Sequence, residues 1–411
     1  PSVIYDTLLM NPELSGHLVA LVENSEFLSN LLIRDPGLFE TFGRASALEH
    51  ASSREELNEQ LDGLLRAYDR DAAPYRLHTG ETLRIGMRDI ILGVDVMSIG
   101  RELTLLAEVC LDYAIAKARE KVAVRFGETK TGFAVLALGK FAGHELGYGS
   151  DLDLIFVYES GAPIESGASP IEYFTAIASN IIRILKEPTK YGQLYDVDAR
   201  LRPDGGKGSL VVTDARLGEY YRSDAQPWER LALVKIRAVG GDAEFAARVE
   251  QQALDLAYSL PLTRENVENI DGIRKKIVAA ASPLSLKKSE GGIAELEFAL
   301  RLLQIEHARM APDVRRREVL EALDALAAVR AITGEDAAAL RETYILFRRI
   351  ENRLRVQHGR STSQLPIGPD ERAKLAKRLH IDSDLAELTA RHKVLVHSFY
   401  RAALARVHSD V

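Results

Sequence analysis

The stretch LGKFAGHELGYGSDLDLIFVYE, residues 138–159, places two aspartates between a glycine-rich loop and an apolar run. Successive side chains of a β-strand point to opposite faces, so Asp151 and Asp153 share one face with Ile155 and Val157. Two carboxylates about 4 Å apart repel by about 4 kcal/mol at an effective dielectric constant near 20. They stay together only when one holds a proton or a cation lies between them, and Mg²⁺ is a divalent cation that prefers oxygen ligands.

A second acidic stretch, QLYDVDARL at residues 193–201, has the pattern of another such strand. Its alternation places Asp196, Asp198 and Arg200 on one face and mainly apolar side chains on the other. Buried charges on a strand face need partners, and a metal shared with the first two aspartates would supply one. Three carboxylates on adjacent strands are typical of two-metal phosphoryl or nucleotidyl transfer. The predicted catalytic and metal-binding residues are Asp151, Asp153 and Asp198.

The loop before the first two aspartates, together with the arginines after the third, offers groups that bind phosphate. Glycine backbones approach an anion closely, and lysine, arginine and hydroxyl side chains donate to its oxygens. The glycine spacing matches neither the Walker loop nor the dinucleotide fingerprint. The candidate nucleotide- and phosphate-binding residues are Gly139, Lys140, Ser150, Arg200 and Arg202.

The period of the apolar residues divides the chain into three parts. Helical spacing runs from about residue 3 to 124 and returns after the middle part, which has short apolar runs between turn residues. The fold class predicted is α+β and mostly helical, with a small mixed-sheet core between an N-terminal helical region and a C-terminal helical bundle. In the core we expect strands at residues 133–139, 151–158, 193–201 and 209–213, followed by helix. The predicted domains are residues 1–125, 126–245 and 246–411.

Composition and charge narrow the function further. The net charge of −7 argues against a nucleic-acid partner bound on a wide basic surface. The one cysteine, Cys110, stands on an apolar helical stripe, so we expect a buried thiol, no disulfide and a reducing cytoplasm. No apolar stretch has the length of a membrane span. The sequence opens on Pro1 rather than Met, and we expect a fragment of a longer chain.

Four blocks of sequence carry a family resemblance. They are LGKFAGHELGYGSDLDLIFVYE, VDARLRPDGGKGSLV, WERLALVKIRAV (residues 228–239) and GGIAELEF (residues 291–298). A glycine-containing turn followed by Asp-x-Asp and a later Asp resembles the nucleotidyltransferase superfamily. Together the four blocks resemble the bacterial glutamine synthetase adenylyltransferase/adenylyl-removing enzyme. FLSNLLIRDPGLFE (27–40) and LRIGMRDI (83–90) extend the likeness, so it covers nearly the whole chain, which has the size of one half of that enzyme.

That resemblance implies a function. One half of the family enzyme attaches AMP from ATP to a tyrosine of glutamine synthetase, and the other half removes it by phosphorolysis. Asp151, Asp153 and Asp198 would then bind two Mg²⁺ ions, and ATP or phosphate would be the substrate. Glu297, in the GGIAELEF block, is implied as a further site residue, although acids at a helix start also have a structural role. The implied partners are glutamine synthetase and, as a second candidate, the PII signal protein.

Several alternatives remain open. The GYGSDLDLIF version of the aspartate block favours the adenylylating half, which is our preferred prediction. PWERLALVKIR (227–237) and RIENRLRVQHGRSTSQLP (349–366) resemble the removing half. A non-catalytic regulatory or docking module is opposed by the intact aspartates. An unrelated nucleotidyltransferase acting on an antibiotic or on RNA is opposed by the four family blocks.

Overall fold

A computed structural model describes residues 12–39, 46–68, 71–259 and 261–409. The N-terminal part is helical there, as predicted, and residues 3–11 of the predicted region lie outside the described ranges. Polar side chains cap several of its helices: for example, Ser53 Oγ accepts from the amide of Glu56 at 3.2 Å, and Asp95 Oδ1 accepts from the amide of Ser98 at 3.0 Å. The helices are α1 (Pro12–Asn24), α2 (Glu26–Arg34), α3 (Ser46–Glu49), α4 (Arg54–Ala67), α5 (Ala73–Ile90) and α6 (Val96–Phe126).

The middle part contains a five-stranded mixed sheet. Its strands are β1 (Phe133–Ala137), β2 (Leu152–Tyr158), β3 (Val197–Asp198), β4 (Val211–Thr213) and β5 (Arg237–Gly241). β1 pairs antiparallel with β2 on one side and with β5 on the other. β2 pairs in parallel with β3 near its start and with β4 near its end. The register sets Asp153 opposite Asp198, so the two acidic stretches meet at one corner of the sheet.

The strands predicted at residues 193–201 and 209–213 were wrong in length, since the structure has only β3 and β4 there. After Asp198, the last residue of β3, the chain no longer pairs with β2 and forms a loop. The guanidinium of Arg202 closes this loop, donating to the carbonyl oxygens of Ala199 at 2.6 Å and Gly208 at 3.0 Å. The local hydrogen bonds of one arginine therefore replace the ladder that the alternation predicted.

β5 lies where the sequence predicted helix, and its last residue explains the difference. Gly241 has a φ of +102°, and a Cβ at this position would lie 2.1 Å from the carbonyl oxygen of Phe133. Only glycine allows so close an approach between β5 and β1 in this conformation. The pair Gly240-Gly241 was a sequence signal against a continuing helix at this point, because glycine has a low helix propensity.

In the described residues between 139 and 279, six further α-helices lead from the sheet into the C-terminal part. They are α7 (Gly139–Ala142), α8 (Pro170–Lys186), α9 (Asp214–Ser223), α10 (Pro227–Leu233), α11 (Ala243–Tyr258) and α12 (Arg264–Ala279). The remaining helices are α13 (Ile293–His307), α14 (Val319–Ala328), α15 (Gly334–His358), α16 (Pro369–Arg378) and α17 (Leu385–Ser409). The α+β, mostly helical fold class is confirmed. The three domain boundaries stay a prediction. In the described ranges, no helix is long and apolar enough to cross a bilayer.

Both faces of the sheet are buried, by different groups of helices. Ile155 and Val157 belong to the hydrophobic core formed with the C-terminal helices. Leu154 and Phe156 belong to the core formed with the N-terminal helices and α8. The alternation predicted for β2 is thus confirmed. By the same pleat, Asp153 faces the C-terminal side, where the bundle approaches the sheet.

Candidate functional site

The three predicted aspartates converge at the corner where β2 meets β3. Asp151 and Asp153 flank Leu152, the first residue of β2, and Asp198 ends β3. One carboxylate oxygen from each lies within 4.8 Å of the others. Asp151 is exposed and the other two are partly buried, so the group opens to solvent on one side. We call these three residues the acidic front.

The electrostatics of Asp153 follow from this crowding. Burial is the largest cause that raises the pKa of its carboxyl group, and the charges of Asp151 and Asp198 raise it further, to about 7. Lys287 and Lys140 act in the opposite direction and do not cancel the rise. The crowding of the three carboxylates therefore favours the protonated form of Asp153, and a bound cation would neutralise the same repulsion.

The acidic front fits a hard divalent cation. All three donors are carboxylates, which are the ligands that Mg²⁺ prefers. Gly139 supports this fit, because it has a φ of +58° and a Cβ there would lie 2.6 Å from Asp153 Oδ2. The absence of a side chain at Gly139 keeps one ligand oxygen accessible. The donor set and this open space are thus suited to Mg²⁺.

Arg200 pairs with the third aspartate. Its Nε donates to Asp198 Oδ1 at 3.0 Å and its Nη2 to Oδ2 at 2.5 Å. These hydrogen bonds are the largest cause that lowers the pKa of Asp198. The arginine side chain is 80% exposed, so its outer face remains available to an anion beside the acidic front.

Other glycines of the loop serve packing rather than an open anion site. A Cβ at Gly147 would lie 2.6 Å from Asn352 Oδ1 on α15. A Cβ at Gly149, which has a φ of +60°, would lie 3.5 Å from the amide of Ser361. Gly147 is small because α15 approaches the loop closely, whereas Gly149 is required by its positive φ.

Lys140 and Ser150 lie behind the loop, in contact with α15. Lys140 Nζ is 3.2 Å from both carboxylate oxygens of Glu351. Arg355 donates to Ser150 Oγ at 3.0 Å and to Glu351 Oε1 at 2.9 Å, while Arg348 donates to Oε2 at 2.5 Å. We call Lys140, Arg348, Glu351 and Arg355 the ion-pair cluster. A phosphate-binding role for Lys140 and Ser150 stays a prediction, whereas their present contacts hold the loop on α15.

The pKa of Glu351 reflects the composition of this cluster. Burial acts to raise it, but the attraction of Lys140, Arg348 and Arg355 outweighs burial, and the pKa is lowered. The carboxylate is completely buried and ionised. The sequence analysis missed Glu351 and Arg355 as loop supports, because no local pattern connects them with a loop some 200 residues earlier.

Arg202 and Glu297 are engaged in other contacts. Arg202 donates to the backbone carbonyls that close its own loop, including that of Ser209 at 2.8 Å. Glu297 accepts from Lys235 Nζ at 3.1 Å and from Arg301 Nη2 at 3.4 Å. Burial acts to raise the pKa of Glu297, but these two cations and others lower it to about 2. Both side chains therefore stabilise their surroundings, and their predicted nucleotide contacts stay predictions.

Lys287 is a cation near the site that the sequence analysis missed. It lies between α12 and α13, where its carbonyl oxygen accepts from the amide of Ala294 at 3.0 Å. Its positive charge lowers the pKa of both Asp153 and Glu351, so it acts on the acidic front and on the ion-pair cluster. Within the described ranges it forms no ion pair shorter than 4.0 Å. The signal was its position just before the GGIAELEF block.

Comparison with known families matches this architecture. The family model for glutamate-ammonia ligase adenylyltransferase matches residues 15–252, which include the whole sheet and the acidic front. The match covers more than half of the chain. The chain belongs to this family. A second model, GlnD PII-uridylyltransferase, matches residues 273–404 in the C-terminal bundle.

Curated relatives agree with the adenylyltransferase family. Proteins named bifunctional glutamine synthetase adenylyltransferase/adenylyl-removing enzyme are similar to this chain in several bacteria. The one from Stenotrophomonas maltophilia is 31% identical over 87% of the chain, and the one from Streptomyces coelicolor is 32% identical over 98%. A third, from Mycobacterium leprae, is 30% identical over 88%. The chain spans 37–41% of the length of these relatives. The family predicted from the four blocks is confirmed.

Proposed function

We propose that the chain transfers AMP from ATP to a tyrosine of glutamine synthetase, with Mg²⁺ bound at the acidic front. The observation that carries this proposal is the convergence of Asp151, Asp153 and Asp198 within 4.8 Å. Family membership supports the nucleotidyl transfer, and the names of the bifunctional relatives support the protein substrate. The GYGSDLDLIF block supports this direction.

Each group at the site has a role in this proposal. Asp151, Asp153 and Asp198 hold the metal, which when bound supplies positive charge to the phosphate oxygens. Arg200, which pairs with Asp198, and Lys287, whose charge acts on Asp153, bind phosphate oxygens. The tyrosine hydroxyl gives its proton to solvent, and its oxygen bonds to the α-phosphorus of ATP. The bond from that phosphorus to the oxygen that bridges to the β-phosphate breaks, which releases pyrophosphate. Positioning and charge neutralisation are sufficient for this step, without a covalent enzyme intermediate.

The reverse-type reaction is the second candidate. The PWERLALVKIR and RIENRLRVQHGRSTSQLP blocks favour it. In it, a phosphate oxygen bonds to the phosphorus of the AMP-tyrosine and the bond to the tyrosine oxygen breaks. The tyrosine oxygen takes up the proton that the phosphate loses, and ADP and free tyrosine result. The same acidic front serves both directions. The PII signal protein is a second proposed partner and the cytoplasm the proposed location, both on the sequence resemblance and composition.

A paired assay tests the proposal and its direction. One reaction contains the chain, Mg²⁺, unmodified glutamine synthetase and α-labelled ATP; the other contains AMP-modified glutamine synthetase and phosphate. We expect label on the protein in the first reaction. ADP released in the second alone would assign the removing activity instead.

A matched pair of variants tests the acidic front. Asp198→Asn removes one of the three carboxylates, and activity should fall by about 10²–10³-fold, as when one charge-stabilising group is lost. Asp196→Asn is the control, because Asp196 is exposed and accepts from Gln193 at 3.1 Å rather than joining the three. Equal activities of the two variants would overturn the metal-site assignment.

A further inference from the structure

The turn that leads into Asp151 is held together by its own hydrogen bonds. The amide of Ser150 donates to the carbonyl oxygen of Gly147 at 3.1 Å, and the amide of Gly147 donates to Ser150 Oγ at 3.1 Å. Because the two ends of the turn are bonded to each other, residues 147–150 form one unit. A shift of this turn therefore displaces Asp151, which is the next residue in the chain.

Asp151 depends on this turn more than the other two aspartates do. Asp153 and Asp198 stand opposite each other in the paired strands β2 and β3, so the sheet fixes their positions. Asp151 is exposed and comes before Leu152, the first residue of β2. The turn and the start of β2 must therefore place the Asp151 carboxylate beside the other two.

Tyr148, within the turn, contacts a carboxylate that lies outside the acidic front. The tyrosine is buried, with 2% of its surface exposed, and its hydroxyl donates to Asp89 Oδ2 at 3.1 Å. Asp89 is the penultimate residue of α5, and its Oδ1 accepts from Arg353 Nη2 on α15 at 3.4 Å. Tyr148, Asp89 and Arg353 thus connect the turn to the N-terminal helices and to the C-terminal bundle.

The position of Asp89 is unfavourable for the fold. Burial is the largest effect on its carboxyl group and raises the pKa, although Arg353, the Tyr148 hydroxyl and Arg349 act in the opposite direction. The ionised carboxylate is therefore less stable here than in water. The C-terminal end of α5 carries partial negative charge, which disfavours a carboxylate further. Stability gives no reason for an aspartate at this position, whereas the hydrogen bond to the turn does.

We infer that Tyr148 is a positioning residue for the proposed transfer, because its hydrogen bond to Asp89 fixes the turn that carries Asp151. The inference rests on the proposed function, in which Asp151 holds the metal. Tyr148 acts through the backbone of the turn and not on the reacting atoms. Support of this kind matters because metal-binding groups must lie within about 0.5 Å of their productive geometry.

A matched pair of tyrosine variants tests the inference. Tyr148→Phe removes the hydroxyl on the turn. Tyr400→Phe removes a hydrogen bond of the same kind and length, 3.1 Å, from α17 to Asp271 on α12. Calorimetric titration of the whole chain with MgCl₂ should show Mg²⁺ affinity weakened by about tenfold in Tyr148→Phe, as when a group that supports a metal ligand is lost. Tyr400→Phe should bind Mg²⁺ as the wild type does.

Kinetics separate positioning from loss of stability. Tyr148→Phe should lower kcat by about tenfold at saturating Mg²⁺. The KM for ATP should change less than kcat, because Arg200 and Lys287, which are proposed to bind phosphate, lie outside the turn. Equal kcat values and equal Mg²⁺ affinities in Tyr148→Phe and Tyr400→Phe would overturn the inference.

Variants of Asp89 test whether the hydrogen bond itself is responsible. Asp89→Ala should reproduce the loss of Mg²⁺ affinity in Tyr148→Phe, and the double variant should lose little more, because both changes remove the same contact. Asp89→Asn should stay nearer to the wild type, since its amide oxygen still accepts from the hydroxyl. Additive losses in the double variant would overturn the inference. A wild-type chain with neither Mg²⁺ binding nor AMP transfer would instead overturn the proposed function, and the inference with it.

Discussion

The two sides of the glycine loop differ in the charges that surround their carboxylates. On one side, the acidic front brings three carboxylates within 4.8 Å, and the pKa of Asp153 rises to about 7. On the other side, the ion-pair cluster surrounds Glu351 with Lys140, Arg348 and Arg355, and the pKa of Glu351 is lowered. The acidic front therefore has too few cations to neutralise its carboxylates, whereas the ion-pair cluster has more cations than carboxylates.

This difference indicates which charges stabilise the fold and which await a ligand. A buried carboxylate with three cationic partners is satisfied by the protein itself. A crowded set of carboxylates is satisfied only by a proton or by a cation from solution. The glycine loop is therefore held in place by the ion-pair cluster on one side and carries the acidic front on the other. This is the arrangement expected of a preorganised site.

The largest effect on stability is expected from the ion-pair cluster. Glu351→Gln keeps the shape of the side chain and leaves the buried Arg348 and Arg355 and the partly buried Lys140 without their carboxylate, so the free energy of unfolding should fall by about 3–5 kcal/mol. Glu187→Gln is the control, because its pair with Arg183 is exposed and should cost about 0.5 kcal/mol or less. Urea unfolding followed by circular dichroism measures both. Equal losses would contradict the contrast between the two sides.

The next effect concerns the tight approach at Gly139. Alanine there must adopt a φ of +58° and place its Cβ 2.6 Å from Asp153 Oδ2. The backbone conformation costs about 1–2 kcal/mol, and the overpacking adds about 1–3 kcal/mol. Gly161→Ala is the matched control, since Gly161 has a φ of +75° and nothing within 4 Å of its Cβ position. We expect Gly139→Ala to lose more stability and to weaken Mg²⁺ binding. Equal unfolding free energies in the two variants would show that Asp153 Oδ2 does not restrict this position.

Local pattern was sufficient to predict the acidic front. The alternation of a strand places Asp151 and Asp153 on one face, and two strands with the same pattern are expected to pair. The structure brings Asp198 to them in register. The fold class was predictable for the same reason, since periods of 2 and 3.6 residues are local properties of the sequence.

The contacts between the glycine loop and the ion-pair cluster were not predictable, because they connect distant parts of the chain. Glu351 and Arg355 stand on an amphipathic helix, where their charges have the pattern of a solvated face. Gly147 belongs to the glycine-rich loop that the sequence predicts to bind phosphate, and only the approach of α15 shows that it makes room for Asn352. Long-range packing of this kind leaves no periodic signal in the sequence.

A smaller effect is the pH dependence of stability. The pKa of Asp153 is about 7 in the folded chain and about 3.9 when unfolded, so the folded state binds more protons between these values. Stability without metal should therefore fall as the pH rises from about 4 to about 7. Asp153→Asn removes this loss, and its Tm in chelator should exceed that of the wild type by a few degrees at pH 8 and by less at pH 5.

Added Mg²⁺ and a control variant extend this comparison of Tm values at pH 5 and pH 8. Mg²⁺ should raise the Tm of the wild type more at pH 8 than at pH 5, because protons compete with the metal, and should affect Asp153→Asn little. Asp196→Asn should behave as the wild type throughout. A Tm difference between wild type and Asp153→Asn that is the same at both pH values would contradict the crowding of charge at the acidic front.

The smallest effect is expected at Lys287, whose charge acts on both sides of the loop. If Lys287 binds a phosphate oxygen, Lys287→Ala should raise the KM for ATP by about tenfold, in line with one charged hydrogen bond, with little change in Tm. Removing its charge should also move the pKa of Asp153 upward and shift the lower limb of the pH–rate profile to higher pH. Lys288→Ala is the control, because that neighbouring side chain is exposed. A fall in Tm with an unchanged KM and pH profile would place Lys287 with the ion-pair cluster rather than with the acidic front.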